Sequence, residues 1–378
     1  MKKLVAVLVT LAMAVSFILP AMAEDTIKIG GIACLTGPAA MYGVGVKNGV
    51  DLYVSELNAA GGIDGKQVEV LWEDDEASAD KAANAYNKLV QNDGVCAILG
   101  PVVSSATDAA ADLAASDGIP LITASATAYY ITTDRPSVFR TCFLDPFQGK
   151  VMAAFTAQEL KATKVAAMYK NGDEYSVGLK DAFVTEAKAL GLEVVAEEAS
   201  ADKDVDYKTQ LTNIKDSGAE AIFLAYYGDV ASLILTQANE LGMDVMFTGG
   251  DGISNITDSI SDKSLLTRMY YSDHFTNSAD SEIVKAYLAG YQAMYGEMPS
   301  ISFSATAYDA AKVLCGAIAA AGTTEPDAVV AAIKASSTEG VTGTITYDDH
   351  NDPIKSAFIL TYDAQGNQVF VKQQDPQQ

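Results

Sequence analysis

Apolar and polar positions along the chain follow two alternating periods. Short apolar runs at 27–35 (IKIGGIACL), 68–72, 95–99 and 120–123 read as strands buried on both faces, which show continuous rather than alternating hydrophobicity. Between them, 42–58 and 81–91 carry a helical period, the second with Ala82, Ala85, Tyr86 and Leu89 on one face. Gly61-Gly62 and Gly94 stand where a helix C-terminal glycine belongs. After a transition over 140–148 the alternation restarts: helix 149–161, strand 164–169, helix 176–190, strand 192–196, helix 207–217, strand 220–225, helix 230–241 and strand 245–248. Helical patterns at 281–295, 303–321 and 326–335 follow, then hairpin-like strands around 343–347 and 357–362, and a tail, QQDPQQ, with a disordered composition. Two runs of strands separated by helices predict two doubly wound α/β lobes with parallel sheets.

The first 23 residues change the picture of where the chain works. Lys2 and Lys3 precede an apolar stretch at 4–19, and Ala21-Met22-Ala23 forms an A-x-A cleavage site. That combination predicts a signal peptide over 1–23, cleaved after Ala23, and a soluble periplasmic protein. No cysteine lies near the cleavage site to be lipidated. The remaining 355 of the 378 residues suffice for about two domains. Loss of the two leader lysines takes the formal charge from −24 to −26, which excludes nucleic acid and anionic membrane surfaces as partners. Cys34, Cys96, Cys142 and Cys315 are widely spaced without a C-x-x-C and read as inert buried thiols. The two histidines, His274 and His350, are not near any cysteine, so neither a metal nor a cofactor is expected.

Catalytic readings fail on the same residues. No G-x-S-x-G elbow occurs, and both histidines fall in polar, loop-like segments, so no nucleophile has a base. Gly43, Gly45 and Gly49 miss the dinucleotide spacing, and Gly62 to Lys66 lacks the first glycine of a phosphate loop. Asp74-Asp75 reads as a solvated pair. What remains is a set of strand ends rich in small and hydroxyl residues: LTGPAAMYG with Tyr42, GPVVSSATDAA with Ser104, Ser105 and Thr107, and ITASATAYY with Ser125 and Thr127. In doubly wound sheets ligands bind beyond the carboxyl ends of strands, where a helix N-terminus suits a carboxylate. Ser105-x-x-Asp108 also fits a capping box, so Ser105 is expected to cap its helix.

Five ordered stretches, IKIGGIACLTGPAAMYG, NAAGGIDGKQVEV, ILGPVVSSAT, LITASAT and VFRTCFLDPFQG, resemble the leucine/isoleucine/valine-binding proteins, the substrate-binding components of branched-chain amino acid ABC transporters. The likeness covers essentially all of 25–370. It implies a type I periplasmic binding fold: two α/β lobes joined by three crossovers near 142–148, 272–280 and 350–356. Lobe 1 would then comprise 24–144 plus 277–352, and lobe 2 145–276 plus 353–378. Carried over by motif, Ser104 matches a serine that binds the ligand α-carboxylate. Ser125 matches a position that binds through its backbone, and Thr127, beyond Ala126, a threonine at the amino-acid head. Tyr42 matches an aromatic that flanks the ligand, and Tyr175 and Tyr227 match family tyrosines. Asp251 stands where the family carries glutamate as ammonium partner, one methylene shorter, and Val103 stands where it carries a disulfide cysteine.

Val102, Val103, Tyr42 and Phe303 are neutral and mostly apolar, which favours a Leu, Ile or Val side chain; Phe303 equally fits ordinary helix core. The expected protein is a monomeric, non-enzymatic receptor that delivers an aliphatic amino acid to an ABC permease and its ATPase. The same fold could instead take an aromatic amino acid, an amide, a urea-like compound or a polyamine, or serve chemosensing.

Overall fold

The computed structural model describes residues 26–375; the expected signal peptide and its cleavage site lie outside them. Five strands, β1 (Ile27–Ala33), β2 (Val68–Asp74), β3 (Ile98–Leu99), β4 (Leu121–Thr123) and β5 (Val138–Arg140), form an all-parallel sheet ordered β2-β1-β3-β4-β5. The helices α1 (Ala40–Ala59), α2 (Ala79–Asn87) and α3 (Ser104–Asp117) connect its early strands. The apolar runs that identify these strands bury Ile29, Ile32, Leu99, Ile122 and Phe139 almost completely. Gly94 ends the α2 region in the left-handed conformation, which glycine adopts without a Cβ clash.

The chain then builds a second sheet. Helix α4 (Asp145–Gln158) leads to β6 (Lys164–Lys170), α5 (Glu174–Ala189), β7 (Glu193–Ser200), α6 (Lys208–Ser217), β8 (Ala221–Ala225), α7 (Gly228–Glu240), β9 (Met246–Gly249) and β10 (Met269–Asp273). The next helices, α8 (Glu282–Tyr295), α9 (Phe303–Ala321) and α10 (Pro326–Lys334), return to the first sheet. Phe303, Ala307, Leu314 and Ile318 of α9 share one core with Ile29, Val46 and Val50. A Cβ on Gly49 would lie 1.9 Å from the Ser304 carbonyl oxygen, so glycine is what lets α1 and α9 approach so closely.

A small antiparallel pair follows, β11 (Thr338–Gly340) with β12 (Gly343–Ile345). Then β13 (Ala357–Tyr362) and β14 (Gln368–Gln374) complete the second sheet in the order β14-β13-β10-β9-β8-β6-β7. The segments at 343–347 and 357–362, expected to pair as a hairpin, do not. β12 pairs with β11, while β13 lies antiparallel to both β10 and β14, so the second sheet is mixed rather than purely parallel. The tail expected to be disordered supplies Gln373 and Gln374 to β14.

Three segments, 141–144, 274–281 and 346–356, run between the two sheets. The third is anchored by a close ion pair between buried Arg140 Nε and Asp352 Oδ1 at 2.7 Å. Asp75 corrects another expectation: it is fully buried, its amide donates to the Ala33 carbonyl, and desolvation lifts its carboxyl to about 6. All four cysteines are free thiols, three buried and Cys96 half-buried.

Candidate ligand-binding site

The carboxyl ends of both sheets face a common cleft. On the first sheet, β3 runs into Gly100 at φ +103°, where a Cβ would lie 2.0 Å from the Ile32 carbonyl oxygen, so this turn requires glycine. Val102 and Val103 follow, buried, and Val103 is the N-cap of α3. No side chain caps that helix, so the expected capping role of Ser105 is not realised; Asp108 pairs with Arg135 at 2.7 Å instead. The first-turn amides of α3 therefore remain available to an anion. Ser104 Oγ, on that turn, accepts from the Ala128 amide at 3.4 Å. Ser125 Oγ donates to the Val102 carbonyl at 2.9 Å, and its amide donates to Thr123 Oγ at 3.4 Å. The loop continues through buried Ala126 to Thr127, whose hydroxyl is buried and makes no aligned hydrogen bond. Arg140 fixes this loop by donating to the Ala126 and Ala128 carbonyls, each at 2.9 Å.

The second sheet contributes a buried carboxylate held by neutral donors. Asp251 follows β9 in the sequence GGDG, and a Cβ on Gly252 would come within 2.8 Å of the Tyr175 hydroxyl. That closeness lets Tyr175 donate to Asp251 Oδ1 at 3.0 Å while accepting from the Gly252 amide at 3.0 Å. Gln148 Nε2 donates to the same oxygen at 2.9 Å, and its Oε1 accepts from the Asp251 amide at 3.0 Å. His274 Nε2 lies 3.0 Å from Asp251 Oδ2. Burial lowers the His274 pKa, so the ring is neutral at pH 7 and Nε2–H donates. The ring packs on Phe143 at 3.7 Å between centroids.

Aromatic rings join the two sides. Tyr42 reaches from α1 to within 2.7 Å of the Gly252 carbonyl and 2.5 Å of Asn255 Oδ1, and its oxygen accepts from the Gly228 amide at 3.0 Å. Its ring lies 5.4 Å from half-buried Tyr227 and 5.6 Å from Phe303, and Tyr175 stacks on Tyr227 at 5.0 Å. Burial raises the hydroxyl pKa of Tyr42, Tyr175 and Tyr227 well above 10, so all three are neutral donors. One end of the cleft thus offers hydroxyls and helix amides, the other a carboxylate, with rings between. A separate groove of about 600 Å³, near Lys28, Lys66 and Cys96, sits at the opposite ends of β1 and β2, where doubly wound sheets do not bind ligands.

A family model described as periplasmic binding protein matches residues 26–367. The chain belongs to this family. It is 32% identical over 339 residues to the leucine-, isoleucine-, valine-, threonine- and alanine-binding protein of Pseudomonas aeruginosa, with 88% of each chain covered. The branched-chain amino acid transporter substrate-binding protein LivJ of Streptococcus pneumoniae, solved in complex with isoleucine, superposes with a TM-score of 0.86 at 33% identity, covering 92% of this chain and 100% of that one. A solute-binding protein of R. palustris in complex with benzoate shares the fold, at a TM-score of 0.83 and 21% identity, over 93% of this chain and 97% of the other.

In this periplasmic binding protein the cleft contains three residues that sequence reasoning passed over: Asp145, Gln148 and His274. The first two lie in the quoted stretch VFRTCFLDPFQG, where Asp-Pro at a helix start was a legible signal. His274 lies in a segment that is polar in sequence, yet it is fully buried just after β10, a strand the apolar pattern does not mark. Among the described residues, no group of three or more His, Cys, Asp and Glu is placed to hold a metal ion.

Proposed function

We propose that this chain is the periplasmic receptor of an ABC transporter, and that it captures a branched-chain amino acid between its lobes and delivers it to the permease. The observation that carries this reading is Asp251, a buried carboxylate held by Gln148, Tyr175 and His274, opposite the open first turn of α3. A zwitterion matches both ends: its carboxylate takes the Ser104 hydroxyl and α3 amides, with Thr127 at the head group, and its ammonium takes Asp251. Each charge-assisted bond contributes roughly 1.5–3 kcal/mol net. Val102, Val103, Tyr42 and Phe303 flank an aliphatic side chain; the backbone of Ser125 and Ala126, with Tyr175 and Tyr227, completes the enclosure. The names of the Pseudomonas and Streptococcus relatives support the same ligand class.

The sheet memberships support lobes of 24–144 plus 277–352 and 145–276 plus 353–378. Because the poles of the ligand are gripped from different lobes, binding favours the closed arrangement through contacts that exist only there. We take the working form to be a monomer, exported by cleavage after Ala23. A second reading rests on the ring cluster of Tyr42, Tyr175 and Tyr227, which could stack on an aromatic amino acid.

A thermal-shift panel of the twenty amino acids, with amides and polyamines, tests both. A ligand at 100 times its dissociation constant stabilises the protein by about 2.7 kcal/mol. Leucine, isoleucine and valine are expected to raise the melting temperature. Shifts with phenylalanine or tyrosine alone would move the specificity to the second reading, and a shift with an amide or polyamine alone would overturn the amino-acid specificity while leaving the receptor class standing.

A further inference from the structure

Asp251 is not the only acid at its end of the cleft. Asp145, the first residue of α4, is buried, and its amide donates to the Thr127 carbonyl at 2.9 Å. The Gln148 amide nitrogen bridges Asp145 Oδ1 at 2.8 Å and Asp251 Oδ1 at 2.9 Å, so one NH2 group ties the two carboxyls together. The second oxygen of Asp145 is buried and has no aligned partner, and neither has the Thr127 hydroxyl beside it. These two polar groups face each other, short of an aligned hydrogen bond, at the point where the first-sheet loop touches the second-sheet acid. The groups around Asp145 explain why it cannot carry a charge freely. Asp251 repels it, and Tyr130, Tyr175 and Tyr227 face it as neutral hydroxyls, with Glu174 behind Tyr130. His274 is neutral. Arg140, the cation that acts on Asp145 among the described residues, is already engaged by Asp352 and by the loop carbonyls.

We propose that Asp145 is a further ligand-binding residue, that it and Asp251 form a carboxyl pair receiving the ligand's cationic group, and that the pair releases one proton to solvent as that group arrives. The inference rests on the receptor reading above. Burial, then the charge on Asp251, lifts the Asp145 carboxyl to about 8, so the empty pair holds a proton at pH 7. An incoming ammonium replaces that proton as the counter-charge: the O–H bond of Asp145 breaks, the proton leaves to water, and the ammonium keeps its own three. Two acids sharing one proton behave in this way wherever both cannot ionise together.

Titration calorimetry of the full chain with L-leucine, L-isoleucine and L-valine, in buffers of differing ionisation enthalpy, measures the proton directly. At pH 7 the expected release approaches one proton per ligand bound. Affinity should strengthen by up to tenfold per pH unit as the pH rises toward about 8 and level off above it. Asp145→Asn should abolish the release and flatten the profile; if that variant does not fold, the wild-type buffer dependence decides alone. Binding with buffer-independent heat and a flat pH profile would overturn the proposal and leave the receptor reading intact. If no amino acid binds, the amino-acid reading fails, and carboxyl-carbon NMR of aspartate-labelled, ligand-free protein still decides on the pair. A carboxyl titrating near pH 8, assigned by its loss in Asp145→Asn, supports it. Titration of Asp145 in the ordinary carboxylate range overturns it.

Discussion

Two clusters of buried acids in this molecule differ in what faces the carboxyls. At the third crossing between lobes, Asp352 pairs with Arg140 at 2.7 Å, and Thr132 adds a hydrogen bond at 2.8 Å. Nearby, buried Lys355 donates to the Thr342 hydroxyl, which in turn donates to Asp309 Oδ2 at 2.5 Å, while the Val341 and Thr342 amides reach Asp309 at 2.7 and 2.8 Å. Each of these acids has a buried cation close by, Arg140 directly on Asp352 and Lys355 acting on Asp309 through the Thr342 hydroxyl. In the cleft, Asp145, Asp251 and Asp273 meet only amides, hydroxyls and a neutral imidazole, apart from an Arg140 that is already engaged. Burial of a charge is therefore no sign of function by itself. What sets the cleft apart is a group of acids without a cation, because an acid held ready by neutral donors gains most from a cation brought by a ligand.

The comparison breaks first at Arg140. Arg140→Met strips Asp352 of its partner and leaves the carbonyls of the 126–128 loop unsatisfied. Removing one member of a buried pair costs about 3–5 kcal/mol. The melting temperature of the ligand-free protein should fall by about 10 °C or more, and Asp352→Asn in the same chain should recover part of the loss. An unchanged melt would mean that the pair has no structural role. Asp251→Asn should show the opposite signature. Calorimetry should record a loss of affinity greater than about a hundredfold, some 3 kcal/mol, while the ligand-free melt stays within a few degrees of wild type. A variant that bound normally would place the cationic group elsewhere.

These expectations draw on residues that local sequence pattern marks unevenly. The continuous apolar runs at β1, β3, β6 and β8 announced themselves because both faces of those strands are covered. Three-residue β5 and tyrosine-rich β10 did not, for neither sustains a period long enough to read. The return of α8–α10 to the first sheet has no local signal at all, and only the family resemblance anticipated it. In the site, glycines and hydroxyls at strand ends were visible because they serve the backbone geometry of the loops. The burial of His274, Asp145 and Asp75 was not, since segments that are polar in sequence become interior only when distant elements close over them. Ser105 failed as a cap for a related reason: α3 starts two residues earlier than the capping box required, at Ser104 with Val103 as N-cap.

The smallest effect sharpens the comparison most, because it touches the joint between lobes without altering any charge. Tyr42 belongs to α1, yet its hydroxyl meets Gly252, Asn255 and Gly228, all on the second-sheet side. Tyr42→Phe keeps the ring contacts with Tyr227 and Phe303 and removes only these hydrogen bonds. Their loss should cost the closed arrangement about 1 kcal/mol. Since closure is a two-state equilibrium, that shifts the open-to-closed ratio about fivefold and weakens apparent affinity by at most the same factor. Small-angle scattering of the ligand-free variant should show a larger radius of gyration than wild type, and saturating ligand should return it to the wild-type value. If the radius is unchanged without ligand while affinity still drops, Tyr42 acts on the ligand itself rather than on the joint. The cross-cleft bonds would then be a consequence of closure and not one of its causes.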